Sequence, residues 1–339
     1  MAGRGKLIMV LALTLGAALV SLALGSARVP LASVAELLVL KPLGLTHAAP
    51  PAWQEEVVLR VRLPRLALGL MVGAGLGLAG VVFQGLLRNP LADPFILGTS
   101  SGAALGATLM LALGAAHSAH LNALVPVAAF AGSLVALAAV YLFARAGGRV
   151  PVETLLLAGV MVNAFLFALV LLVLALARLE AAEALLWLMG SLALTGSLGA
   201  AAWVGLAIVP AAIVALVYAR DLNALSLGED HAAALGVEPA RVKLVLFVSG
   251  SILVGAAVSA AGIIGFVGLI VPHIARLVFG PDHRRLVPAA MVLGAGLLIA
   301  ADTVARTALA PTELPVGVVT ALAGAPFFLV LLRRARRAW

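Results

Sequence analysis

The chain has 339 residues, of which 64% are hydrophobic and 11% charged, with a formal net charge of +8 and no cysteine. Soluble domains carry about 25% charged residues, so this chain has too little polar surface to enclose its apolar residues and must use lipid as solvent. The missing cysteines exclude disulfides, iron–sulfur clusters and thiolate zinc sites, and the positive charge reports loop asymmetry in a membrane protein rather than nucleic-acid binding.

The apolar runs are long and continuous rather than alternating, which points to membrane helices and away from a β-barrel. Crossing ~30 Å of hydrocarbon takes about 20 apolar residues. On that measure ten spans are expected: Leu7–Gly25, Pro64–Leu87, Phe95–Gly114, Leu121–Ala144, Thr154–Leu176, Ala200–Ala219, Val242–Ala261, Ile263–Phe279, Leu286–Leu309 and Val316–Leu332. The first follows Arg4 and Lys6 and ends in small residues, as a signal peptide does, but its apolar run is long for one and it is read as a retained helix. The eighth is short and punctuated by Gly265, Gly268 and Pro272, so a kink or a protein-packed segment is expected there.

Between the second and third spans the chain reads QGLLRNPLADPFILGTSSG (84–102). Pro90 and Pro94 stop a helix from running on, and Asn89 and Asp93 are turn formers. Two longer stretches lie outside the spans. Residues 26–63 hold an amphipathic run and a Pro-rich turn. Residues 220–241 read RDLNALSLGEDHAAALGVEPAR, in which Asn223 or Ser226 can cap a short helix and Gly228 and Gly236 can end or bend one. A short helix presented in this way is a natural docking knob for another protein.

Orientation follows from basic residues. With the N-terminus inside, Arg4, Lys6, Arg88, Arg145, Arg149, Arg220, Arg241, Lys243, Arg276, Arg284, Arg285 and the tail arginines are cytoplasmic, 15 of the 22 Lys+Arg. Both termini then lie inside. The exceptions cluster: Arg60, Arg62 and Arg65 sit outside where the second span begins, and Arg306 near the outer end of the ninth. Asp302 and Arg306 are the deepest charges and are spaced to pair on one helical face.

Catalytic chemistry is absent. There is no GxxxxGK[ST] phosphate loop, no HExxH and no GxSxG. His117 and His120 share a helical face but have no third ligand in view. No cofactor or metal is expected. An ion-coupled secondary carrier would show an acid or a broken helix near mid-membrane, and no clear buried carboxylate pair stands there.

Several segments, in order, carry a resemblance: RLPR (62–65), the elbow sequence above, LLLAGV (155–160), WLMGSL (187–192), LSLGEDHAAALGV (225–237), GIIGFVGLIVPHIARL (262–277), GPDHRRLVPA, ADTVAR, ELPVGVVTALAGAPFF and a basic tail (333–339). Together they resemble the FecCD-type permeases, the ABC importer subunits for iron–siderophore, haem and cobalamin, over roughly residues 62–334.

The resemblance implies an all-α, ten-helix type II ABC importer permease fold in a single domain, with helices 2–5 and 7–10 related as an inverted repeat. It implies a homodimer in a bacterial inner membrane, two cytoplasmic ABC ATPases, a periplasmic substrate-binding protein and alternating access. The subunit would have no nucleotide site of its own. Arg62, Arg65 and Arg306 match arginines that meet acidic residues of the binding protein. Leu227, Gly228, Glu229, Ala233, Leu235 and Gly236 fall in the segment that contacts the ATPase. Asn89 and Leu91 match one loop of the cytoplasmic gate, and Pro151 and Val152 stand in the other, where family members can carry small polar residues. Gly159, Asn163 and Phe167 share the face of the fifth span that lines the passage.

Overall fold

The computed structural model describes residues 2–45, 50–114, 118–145, 150–177, 181–193 and 196–335. In chain order the helices are α1 (Ala2–Ala23), α2 (Leu31–Ala35), α3 (Ala52–Glu55), α4 (Leu63–Leu86), α5 (Thr99–Ala112), α6 (Ala119–Asn122), α7 (Val125–Ala144), α8 (Val152–Leu176), α9 (Ala181–Leu188), α10 (Leu198–Val217), α11 (Ala219–Leu225), α12 (Glu229–Ala234), α13 (Pro239–Ala261), α14 (Val267–Phe279), α15 (His283–Thr307) and α16 (Val316–Ala335). There is no β-strand among the described residues. Among the described residues seven helices are long and apolar enough to cross a membrane: α1, α4 with the turns before it, α7, α8, α10, α13 and α15. The protein is thus an all-helical, multi-pass membrane protein with at least seven apolar spans. Each of the ten apolar runs contains a helix, but α5 and α14 have only 14 and 13 residues.

Two expected boundaries move. The second span does not begin at Pro64: helix runs without a break from Ala52 through Leu86. Residues Glu56–Arg62 form a π-helical turn immediately upstream. That wider turn accommodates Pro64, which has no N–H to give and would otherwise clash with the preceding turn. Likewise the third span starts at Thr99, not Phe95. Residues Pro94–Leu97 form a 3₁₀ turn, and Gly98 takes a left-handed φ of 85° before α5 begins.

α4 is the axis of the bundle. It packs against α15, α13, α10 and α14, and Leu68, Leu76, Leu78 and Phe83 are fully buried on it. Lipid is as apolar as leucine, so helices here are held by close van der Waals fit rather than by the hydrophobic effect. Glycine allows that fit. A Cβ at Gly73 would strike the carbonyl oxygen of Gly294, and one at Gly77 that of Ala290. The α5–α7 crossing has the same design, with Gly102 set against the Gly132 carbonyl.

α4 ends at a stiff elbow. Arg88 takes a left-handed φ of 50°, uncommon outside glycine and asparagine. Asn89 Oδ1 accepts from Leu91 N at 2.9 Å, and Asp93 Oδ1 from Phe95 N at 2.8 Å. The two side chains expected to form turns are thus spent on the backbone of the reversal. Elsewhere, α12 is framed by Gly228 (φ 120°) and Gly236 (φ 84°), conformations that disfavour any side chain.

Candidate functional site

At one end of the bundle three arginines converge with two acids. Arg65 grips Asp302, with its Nη2 at 2.9 Å from Oδ1 and Nε at 3.0 Å from the same oxygen. Its Nη1 donates to Glu313 at 2.6 Å. Arg306 Nε donates to the second oxygen of Asp302 at 3.0 Å, the i, i+4 pair legible in the sequence. The other arginine nitrogens cap α1, whose last carbonyls have no partner within the helix. Arg62 donates to Leu22 O at 2.6 Å, Ala23 O at 3.0 Å and also Ala27 O. Arg306 donates to Ser21 O at 3.0 Å and Leu24 O at 3.2 Å. Arginine suits both tasks because its fork can hold a carboxylate and a carbonyl together.

Arg62, Arg65 and Arg306 are therefore buried and committed within the subunit rather than standing free at its surface. The cluster still holds one more positive charge than negative. Glu313 is its most exposed member, and Arg60, two residues before Arg62, is exposed and pairs with Glu56.

Between these ends, α8 lies against α5 and the 3₁₀ turn. A recess of about 500 Å³ opens there, lined by Asp93, Phe95, Ser100, Asn163, Phe167 and Ile263 among others. The structure brings Asn163 and Phe167 to this recess. Gly159 lies below them, where a Cβ would meet the Ile96 carbonyl oxygen at 2.5 Å. Asn163 is not a free polar group. Its Nδ2 donates to Phe95 O at 3.1 Å and Ile96 O at 2.9 Å, and its Oδ1 accepts from Ser101 Oγ at 2.6 Å. Phe167 is half-exposed.

The other end carries the elbow, α11, α12 and residues 150–152. On α12 and its flanks, Leu227 and Leu235 are 69% and 70% exposed, while Ala232 is buried beneath them. Ala233 and Gly236 are exposed, Gly228 and Glu229 half-buried. Neither Asn223 nor Ser226 caps α12. Asn223 instead ties α11 to the start of α15, donating to Asp282 Oδ1 at 2.8 Å and accepting from His283 N at 3.1 Å. The Asn223 amide and the Arg284 backbone N–H hold the Asp282 carboxyl below the usual carboxylate range, against the opposing effect of burial. Asn89, Leu91 and Pro151 are half-buried, and Val152 is buried beside Leu86, Tyr141 and Phe247.

Sequence reasoning missed the partners of these groups more than the groups themselves. Lys243, on α13, was read only as a basic loop charge; it holds Glu229 and the Val150 carbonyl. His117 lies outside the described residues, and among those residues no three His, Asp or Glu side chains gather as metal ligands would.

Comparison with known proteins gives this geometry a family. The model of the FecCD transport family matches residues 12–334. The chain is 42% identical to the hemin transport system permease protein HmuU of Yersinia pestis over 330 residues, 94% of this chain and 93% of that one. It is 46% identical to the cobalamin import system permease protein BtuC of Halobacterium salinarum over 296 residues, 86% of this chain and 78% of that one. A solved ABC transporter described as metal-chelate type, in an inward-facing conformation, superposes with a TM-score of 0.80 at 34% identity, covering 98% of this chain and 99% of its own. The chain therefore belongs to the FecCD transport family and is the membrane permease subunit of an ABC transporter, not itself an ATPase.

Proposed function

We propose that this permease moves a metal chelate from periplasm to cytoplasm across a bacterial inner membrane, with iron–siderophore or haem as the favoured cargo and cobalamin the alternative. The observation that carries this reading is the identity, over nearly the whole chain, to a haem permease and a cobalamin permease. Two copies form the pathway, each through ten membrane helices with both termini cytoplasmic. Helices 2–5 and 7–10 form an inverted repeat. The packing of α4 along α15 and of α13 along α7 supports that symmetry, because the repeat exchanges one pair for the other.

On this reading the recess beside Phe167 belongs to the passage, and the elbow at Asn89 and Leu91, together with Pro151 and Val152, closes it on the cytoplasmic side. α12 seats in the ATPase through Leu227 and Leu235, flanked by Gly228, Glu229, Ala233 and Gly236. Access alternates as ATP binding displaces α12 and the helices behind it. At the other end an acidic binding protein is attracted to the net positive cluster of Arg62, Arg65 and Arg306. Because these arginines are buried, they act through their field and through Glu313 at the rim, and steering should weaken with salt.

The test is reconstitution in proteoliposomes with the cognate ATPase and binding protein. Haem, ferric hydroxamate and cobalamin are offered in turn, and ATP turnover and uptake are measured. One of the three should stimulate both; stimulation by none would remove the chelate assignment.

A further inference from the structure

We propose that Lys243 is a positioning residue that transmits movement of α12 to the 150–152 loop, one of the two loops that close the passage. The proposal rests on the reading of α12 as the ATPase contact. Glu229 is the first residue of α12, where the helix dipole favours a carboxylate. Both of its oxygens accept from Lys243 Nζ at 3.0 Å. The same Nζ donates to Val150 O at 3.1 Å, the residue before Pro151 and Val152. An ammonium has three hydrogens, and here each has an acceptor. Glu229 also lies 3.8 Å from Arg88 Nη2, and Arg88 is the residue before Asn89. One carboxylate on α12 is thus linked to the elbow by one cation and to the 150–152 loop by another.

Exposure and shape favour transmission over ornament. The Lys243 side chain is only 14% exposed, whereas Glu229 and Arg88 are 36% and 38% exposed. The short, sheltered pair is screened less than a surface one. Lys243 lines, with Leu86, Tyr141, Val150 and Val152, a cavity of about 50 Å³, so it sits against the 150–152 loop. On the elbow side Arg88 takes a left-handed φ of 50° just past the end of α4. A tilt of α12 must therefore either break the Lys243–Glu229 pair or carry Val150 with it. Val150 and Lys243 are 93 residues apart, which explains why spacing alone did not reveal the link.

The experiment uses the full complex with its ATPase. Because the chain has no cysteine, Glu153→Cys, at an exposed position beside Val152, gives a single site for a nitroxide, and its mobility is read with and without ATP. Lys243→Met removes all three donors but keeps the stem; Lys243→Arg keeps the charge. We expect Lys243→Met to retain the ATPase yet lose the ATP-driven change at position 153 by about fivefold or more, the low end of coupling between two sites. Lys243→Arg should restore most of it. Glu229→Gln added to Lys243→Met should cost nothing further, since the two act as one unit. An unchanged signal in Lys243→Met, or additive losses in the double variant, overturns the relay while leaving α12 as the docking element. ATPase binding that survives Leu227→Asp with Leu235→Asp overturns the docking reading instead. If Lys243→Met does not assemble, Glu229→Gln read against Arg88→Gln decides: a loss at position 153 in Glu229→Gln but not in Arg88→Gln supports the link, and no loss in Glu229→Gln refutes it.

Discussion

Arg65 and Asp302 are 237 residues apart in the chain and meet through three hydrogen bonds of 2.9 to 3.1 Å, both side chains at most 8% exposed. The same carboxylate holds Arg306, so one acid is shared by two buried cations. Through Arg306 and Arg62 the cluster also fastens α1 to α4 and α15.

Asp302→Ala should therefore be among the most destabilising single changes in the molecule. Removing one member of a buried ion pair leaves an uncompensated charge and costs ~3–5 kcal/mol. Thermal unfolding in detergent measures it, and a melting temperature equal to wild type would refute the role given to the cluster.

Helix contact through glycine makes a second prediction. Gly73→Leu should force α4 and α15 apart, because its Cβ already collides with the Gly294 carbonyl; overpacking costs ~1–3 kcal/mol and here acts on backbone that cannot yield. Gly16→Ala is the control. Nothing lies within 4 Å of that Cβ, so stability should stay within ~0.5 kcal/mol. Yield of folded protein and melting temperature read both.

Leu227 and Leu235, on either side of α12, are both exposed. Each of Leu227→Asp and Leu235→Asp should weaken retention of the ATPase, and together by roughly tenfold or more, as loss of interface anchors does. Co-purification with a tagged ATPase gives the answer. Full retention by the double variant would mean that the contact lies elsewhere.

Asn163 and Phe167 share the recess but should respond differently. Asn163→Ala strips hydrogen bonds from the Phe95 and Ile96 carbonyls and should cost ~1–3 kcal/mol, loosening the 3₁₀ turn and lowering import. Phe167→Ala removes a half-exposed ring and should leave stability within ~0.5 kcal/mol while altering import. Melting temperature and uptake, measured side by side, separate a bracing residue from a lining one. Equal effects of both variants on stability would contradict the assignment.

Much of the fold was legible because lipid makes a simple demand. Ten apolar runs stand out since each crossing needs about 20 residues that carry their own backbone hydrogen bonds. Asp302 and Arg306 were legible as a pair because four residues return a helix to the same face. Gly228 and Gly236 were legible as turns because only glycine takes their φ without strain. The start of the second helix was not legible: residues 26–63 read as a stretch outside the spans, yet residues 52–62 continue the helix through a π-turn.

The roles within the sites were decided by tertiary structure. Arg62 and Arg65 stood out as charges that defy the orientation rule, but their burial against α1 and Asp302 depends on how three distant helices pack. Asn163 offered a polar group to the passage, and packing against the 3₁₀ turn took its hydrogens. Lys243 looked like one basic residue among many until α13 set it between Glu229 and Val150. Local rules are written in residues a few positions apart, where the backbone itself fixes the geometry. Partners across 59 to 237 residues follow only from which helix faces touch, and in lipid that choice rests on shape fit and buried polar pairs, which no composition or spacing records.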